Sequence, residues 1–411
     1  MQFPILQQTG LLPFLMTRLF TVFAVQIQSI IVGWHLYDKT HDPMALAYVG
    51  LAQFVPMVLC LPIAGDVADR YNRKVVLGAG LAVACLCSFA LMAITLAGKD
   101  YLHWSYGALM GFGMARSFIN PVLQSLLPQI VPKDKLAQTL ATNSTLMKIA
   151  TITGPITGGI LYGMSGEFSY LACTLFFLLA IVPLFWVKLL YANQQITTDK
   201  FQLNQVWSRF KEGGRFIWRQ PIVLGAISLD LFAVLLGGVV ALLPIYASEV
   251  LHIGAEGLGL LRSAMAFGEI MMGIYLSRFP ITKNVGKVMF LAVALFGAAN
   301  LVFALSSTFL LSFIALLCAG ACDMVSVNIR GTLIQLATPD NMRGRVSAVN
   351  MLFITSSNEL GGFRAGLSAR YLGAVPTAVI GSVFTLAVVA WMISKFKPLV
   401  KVDNFQQVSD Q

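Results

Sequence analysis

Arg18, Arg116, Lys148, Asp230, Arg262, Glu269, Asp323, Arg330, Glu359 and Arg364 are ionisable side chains inside long apolar stretches of a chain of which only 11% is charged. An ion held in hydrocarbon costs several kcal/mol unless it meets a partner or a water-filled cavity, so such groups point first to a path for ions or polar cargo. Desolvation makes a carboxyl hold its proton more tightly, and a nearby cation reverses that. An acid whose cation comes and goes can therefore load and release a proton. Asp230 and Glu359, near the middles of their runs, are the first candidates for this chemistry, and Glu269 and Asp323, nearer one end, are the next.

The charges are unevenly divided. Arg18, Arg116 and Lys148 give the first half only cations at depth, while the second half holds the four acids with Arg262, Arg330 and Arg364. Cations in a cavity suit an anionic cargo, with Gln26, Gln28, Asn120 and Asn143 as further polar contacts. The pairs Arg262/Glu269 and Asp323/Arg330 are seven residues apart, hence on one helical face about 10 Å apart along the axis, too far for a direct bond. Each needs a partner on another helix. Buried ion pairs that only fix helix packing are the competing reading for any single acid. His35, His41, His103 and His252 fall at or near the ends of the apolar runs.

These groups need long helices to hold them. Hydrophobic residues make up 57% of the 411 residues and the mean hydropathy is +0.77, more than a soluble domain can bury. Runs of about 20 apolar residues, each enough to cross the hydrocarbon, centre near Phe23, Val55, Ala84, Gly113, Ile152, Leu178, Ala233, Phe267, Ala294, Leu317, Ser357 and Val388. Twelve membrane-spanning helices follow. The net charge of +10 comes from scattered bases, not one basic face, which argues against nucleic acid as a partner. The six cysteines form no paired zinc spacing and read as packing residues. No P-loop, catalytic triad or metal cluster is visible, so neither an enzyme nor a cofactor is expected. The first apolar run reads as an uncleaved span.

With both termini cytoplasmic, Arg70, Arg73, Lys74, Lys133, Lys135, Arg343, Arg345 and the other loop bases lie inside, leaving Lys39, Lys99 and Arg370 outside. That is the positive-inside bias of a multi-pass membrane protein. The chain divides into a six-helix bundle over residues 1–192, a linker over 193–220 and a second bundle with a short tail over 221–411. Within the linker, Val206, Trp207, Phe210, Ile217 and Trp218 recur at helical spacing beside Arg209, Lys211, Arg215 and Arg219, which predicts an interfacial helix. A solvated linker is the alternative, because Gly213-Gly214 weakens a helix there.

A shift of about 207 residues lays Pro132–Asn143 over Pro339–Asn350, Gly154 over Gly361 and Gly159 over Gly366, and a near-identical shift lays Gly65 and Arg70 over Gly273 and Arg278. The chain reads as a duplicated six-helix unit. Parallel halves of this kind place a binding site between them near mid-bilayer and expose it alternately by rocking.

GDVADRYNRK, from Gly65 to Lys74, resembles the signature loop of the major facilitator superfamily, G-x-x-x-D-R-x-G-R-[RK], with Asn72 where the second Gly is usual. Asn is the tolerated substitute where the backbone turns left-handed. The resemblance makes Gly65, Asp66, Asp69, Arg70 and Arg73 gate residues. It also implies an all-α membrane fold of twelve helices in two pseudo-symmetric bundles. GPITGG, Gly154 to Gly159, looks like the antiporter motif of proton-driven exporters, with Gly154, Gly158 and Gly159 presenting a smooth helix face and Pro155 leaving a hinge.

EGGRFIWRQP and LPQIVPKDKLAQTLATN resemble the bacterial branch that holds siderophore exporters such as that for enterobactin, drug exporters and a lysophospholipid carrier. The resemblance implies a monomeric, proton-coupled exporter of an amphipathic organic compound such as a siderophore, with protons and a small molecule as its partners. General drug efflux, lysophospholipid transport and a non-transporting receptor remain alternatives. Asp230→Asn or Glu359→Gln is expected to cut coupled efflux with folding intact.

Overall fold

The computed structural model describes residues 10–132, 135–189, 203–339, 342–405 and 407, with side chains left out at 62, 65, 66, 68, 69, 99–101, 137, 141, 203–206 and 209. The described chain is helical. In order come α1 (Leu11–Thr40), α2 (Pro43–Arg70), α3 (Arg73–Ala97), α4 (Ser105–Ile130), α5 (Leu136–Met164), α6 (Gly166–Leu184), α7 (Leu203–Arg219), α8 (Pro221–Gly237), α9 (Ala255–Arg278), α10 (Val285–Leu305), α11 (Phe309–Ala337), α12 (Arg343–Leu372) and α13 (Ala374–Lys395). Every expected span centre falls inside one of these helices, and α7 is the addition between the sixth and seventh. Among the described residues nine helices are long and apolar enough to cross a bilayer. Of the helices at the twelve expected spans, those outside the nine are α4, α5 and α12, which hold Arg116, Lys148 and the Glu359/Arg364 pair.

Two compact units emerge: one of Met1–Lys39, Leu51–Leu203 and Gly254–Gly259, the other of Thr40–Gly50, Asn204–Ile253 and Leu260–Gln411. Inside the first, α3 packs along both α4 and α6; inside the second, α10 packs along both α11 and α13. Small residues recur at matching positions as well. Gly154 and Gly158 bring α5 onto α1, where an added Cβ would stand 2.7 Å from the Gln26 side chain and 3.2 Å from Ile27. One repeat later, a Cβ on Gly361 would meet Val234 and Leu235 of α8 at 3.0 and 3.3 Å.

Helix α3 is apolar on both sides. Leu77, Leu81, Ala84 and Leu91 are buried while Val75, Leu86, Phe89 and Leu96 are exposed. A helix of this kind leaves one apolar face for neighbours and the other for lipid. The six cysteines are free thiols, and Cys85, Cys87 and Cys173 are buried.

Two local details differ from the sequence expectation. Asn72 has φ −59° and ψ 113°, not a left-handed backbone, and its side chain accepts a hydrogen bond from the Lys74 amide at 3.0 Å. It caps α3, work that a glycine could not do. The second concerns α7, which forms as expected, through Gly213-Gly214, but whose apolar residues do not all share one side. Phe210, Phe216 and Ile217 join a cluster with Val223, Ile227, Ile334, Val346 and Val349, but Trp207 and Trp218 face outward on the same side as Lys211 and Arg215. At about 100° per residue the two tryptophans, eleven apart, lie only about 20° from each other, and Trp207 borders the packed side, its ring stacked on that of Phe210 with centroids 6.3 Å apart.

The seventh span is interrupted. After Gly237 the chain takes an extended step at Gly238, then short turns over Val240–Leu242 and Leu243–Ile245 and a wide turn over Tyr246–Val250. Backbone groups in lipid must find partners, and here side chains supply them. Asn300 donates from Nδ2 to the Gly237 carbonyl at 3.3 Å, and the Tyr246 hydroxyl donates to the Ala304 carbonyl at 3.0 Å.

Candidate functional site

Within the first unit, Arg18 and Arg116 are held by neutral groups. Arg18, half-buried on α1, donates from Nη1 to the Leu123 carbonyl of α4 at 3.5 Å. Arg116 donates from Nη1 to Gln53 Oε1 of α2 at 3.2 Å, with its guanidinium 6.0 Å from the centre of the Phe112 ring. The contact has a local cause. Gly113, one turn earlier, lets α4 close on α2 at Gln53, where a Cβ would stand 2.8 Å from the Gln53 Cα. Neither arginine meets a carboxylate among the described residues, so neither charge is paired with an acid there.

Gln28 is 1% exposed and Asn143 4% exposed, and neither the Gln28 amide atoms nor the Asn143 Oδ1 have a hydrogen-bond partner among the described residues. Gln26, Asn120 and Lys148 are half-buried on α1, α4 and α5. Gln53 was not singled out by the sequence. A glutamine inside an apolar run is the signal that could have marked it.

In the second unit Asp230, Glu359 and Glu269 each lie near an arginine. Asp230 of α8, 7% exposed, forms an ion pair with Arg330 of α11, 5% exposed. Arg330 thus finds its partner on another helix, as the seven-residue spacing to Asp323 requires. Arg262 of α9 lies within electrostatic reach of Glu359 on α12 and of Glu269. Gly50 at the α2 side makes room for Glu359, since a Cβ there would lie 3.4 Å from its Oε2. Arg364, half-buried on α12, has its Nε without a partner, and a Cβ on Gly381 would stand 3.4 Å from its Nη2. Asp323 is half-buried on α11.

Of the expected gate, Gly65, Asp66 and Asp69 have side chains outside the described residues, as do Lys133 and Asp134 of the matching loop and positions 193–202 of the linker. The described part is well anchored. Arg73 donates from Nη1 to the Ser125 carbonyl at the end of α4 at 3.1 Å, and Lys74 donates from Nζ to the Val187 carbonyl at 2.7 Å. The Arg70 side chain is half-buried. Pro155 and Gly158–Gly159 are buried on a continuous α5, with Gly159 against Ala255 and Glu256 at the start of α9.

Among the histidines, His35 is 3% exposed and its Nδ1 is 3.0 Å from the Tyr162 hydroxyl, whereas His41, His103 and His252 are exposed.

The model of the Major Facilitator Superfamily matches residues 14–362. The chain belongs to that superfamily. Relatives of this facilitator include an enterobactin exporter, EntS, from Citrobacter koseri, 24% identical over 380 residues that cover 89% of this chain and 85% of that protein. Another is a sodium, lithium and potassium/proton antiporter from Planococcus maritimus, 23% identical over 364 residues covering 80% and 82%. Among solved structures, a bacterial homologue of the human lysosomal transporter Spinster superposes with a TM-score of 0.73 at 14% identity, covering 97% of this chain and 98% of that one. A bacterial homologue of the iron transporter ferroportin does so at 0.70 and 18%, covering 95% and 98%. This facilitator is therefore a multi-pass membrane transporter for a small molecule, with two pseudo-symmetric bundles of six spanning helices, and not an enzyme.

Proposed function

We propose that this facilitator is a secondary active exporter that drives an anionic amphipathic compound, such as a siderophore, outward against entering protons. It works by alternating access as a monomer in a bacterial inner membrane with both termini cytoplasmic. One observation carries the reading: Arg18 and Arg116 are stabilised by a backbone carbonyl and an amide instead of by acids. Two half-buried guanidiniums in that state cost free energy that an anionic ligand would recover. The enterobactin-exporter relative supports the cargo class, and the antiporter relative supports coupling to protons.

Carboxylates carry the proton in this scheme. Glu359 is the leading site, because it lies with Glu269 within electrostatic reach of Arg262, a cation whose approach favours the ionised form of either acid. Asp230 and Asp323 follow. Gly65, Asp66, Asp69, Arg70 and Arg73 form the gate, Gly154, Pro155, Gly158 and Gly159 the hinge, and Gln26, Gln28, Asn120, Asn143 and Lys148 complete the cargo contacts. A proton entering down 100 mV gains about 2.3 kcal/mol from the potential alone.

Proteoliposomes holding a pH-sensitive dye test the proposal. A catecholate siderophore should move protons with the native chain, and Glu359→Gln should reduce that movement to background while cargo still binds. Proton movement on addition of sodium or potassium alone would replace the siderophore reading with alkali-cation exchange. A chain that binds cargo but moves neither species would remove the transport reading.

A further inference from the structure

We infer that α7 is a docking face for anionic phospholipid headgroups and ties them mechanically to the start of α12. Its outward side carries Trp207, 56% exposed, and Trp218, 77% exposed, with exposed Lys211, Arg215 and Arg219 between and beside them. Lys211 holds its Nζ 6.0 Å from the centre of the Trp207 ring. Large indole rings with one polar edge settle where hydrocarbon meets headgroups, and cations on the same face select negative headgroups.

Chain continuity sets the depth. Arg219 ends α7, and Pro221 opens the seventh span only two positions later, so Trp218 and Arg219 are held beside the bilayer surface. The opposite side of α7 is already occupied by the cluster around Ile217, Val346 and Val349. Only the tryptophan and cation side is left for lipid.

The tie to α12 is direct. Arg345, in the first turn of α12, donates from Nη1 to Glu212 Oε2 at 2.5 Å, and Gly213 lies against the Arg345 backbone, where a Cβ would stand 2.7 Å from its carbonyl oxygen. Glu212 is thereby turned to Arg345 and subtracts little from the positive face. The lipid-facing helix is thereby joined to the first turn of the helix that carries Glu359 and Arg364. The inference does not depend on the cargo.

Tryptophan quenching in nanodiscs tests it on the full chain. Trp207→Phe/Trp218→Phe supplies the blank, and the difference from native reports these two rings. Brominated phosphatidylglycerol should quench them more than an equal share of brominated phosphatidylcholine does. Lys211→Gln/Arg215→Gln/Arg219→Gln should remove that preference, with about a fivefold fall in local anionic enrichment for each cation lost. High salt should weaken it in the native chain without any substitution. Equal quenching by both headgroups, or a preference that survives the triple substitution, would overturn the inference. Quenching by neither lipid would do so too, and would mean that a protein segment covers the face.

Discussion

A carboxylate that shuttles protons has to part from its cation during the cycle, and the two leading acids differ in how far they are from doing so. Asp230 is locked to Arg330 with both side chains almost fully buried, whereas Glu359 is half-buried and shares Arg262 with Glu269. The expectation that Asp230→Asn leaves folding intact therefore changes. Removing one partner strands a buried charge at a cost of about 3–5 kcal/mol, while replacing both ions by neutral groups is far milder. Asp230→Asn and Arg330→Gln should each lower the melting temperature in thermal unfolding, and the double substitution should recover most of the loss. Glu359→Gln should melt close to the native protein, which makes it the cleaner probe of coupling. Equal melting of all the Asp230 and Arg330 variants would show that the pair bears no such load. The acids themselves were legible in the sequence because charge is conspicuous in apolar runs. Their partners were not, since spacing along one helix says nothing about which neighbour turns toward it.

Glycine does opposite things at adjacent positions of α7. Gly213 is pressed against the Arg345 backbone, while a Cβ on Gly214 would meet nothing within 4 Å. Gly214→Ala should stabilise the helix by about 1 kcal/mol through propensity alone. Gly213→Ala should destabilise by about 1–3 kcal/mol, because α12 must be pushed away. Chemical denaturation followed by circular dichroism separates the two, and a loss in both would mean that α7 tolerates no change of packing. Periodicity foretold the helix but not its faces. The apolar residues of α7 serve two environments, with Phe210 and Ile217 turned to the protein and the tryptophans turned outward, and a single hydrophobic pattern merges them. The break after α8 was hidden for a similar reason, since Gly237-Gly238 lies inside an uninterrupted apolar run.

Across the whole molecule, the twelve spans and the duplication were readable because hydropathy and repeated glycines act over long stretches. Orientation is open to direct measurement. In a background without native cysteines, Ser208→Cys on α7 should react with a membrane-impermeant maleimide only after cells are permeabilised, and His103→Cys should react in intact cells. The reverse pattern would invert the topology. The interrupted seventh span has a consequence of its own. Asn300 grips the carbonyl at the end of α8, and one turn along the same helix Ala304 receives the hydroxyl of Tyr246 from beyond the break. Helix α10 thus acts as a splint across a fractured rod, fastened to a fragment on each side of the joint. A tilt of the distal fragment would therefore pull on α10 through the Tyr246 hydroxyl as well as on the rod itself.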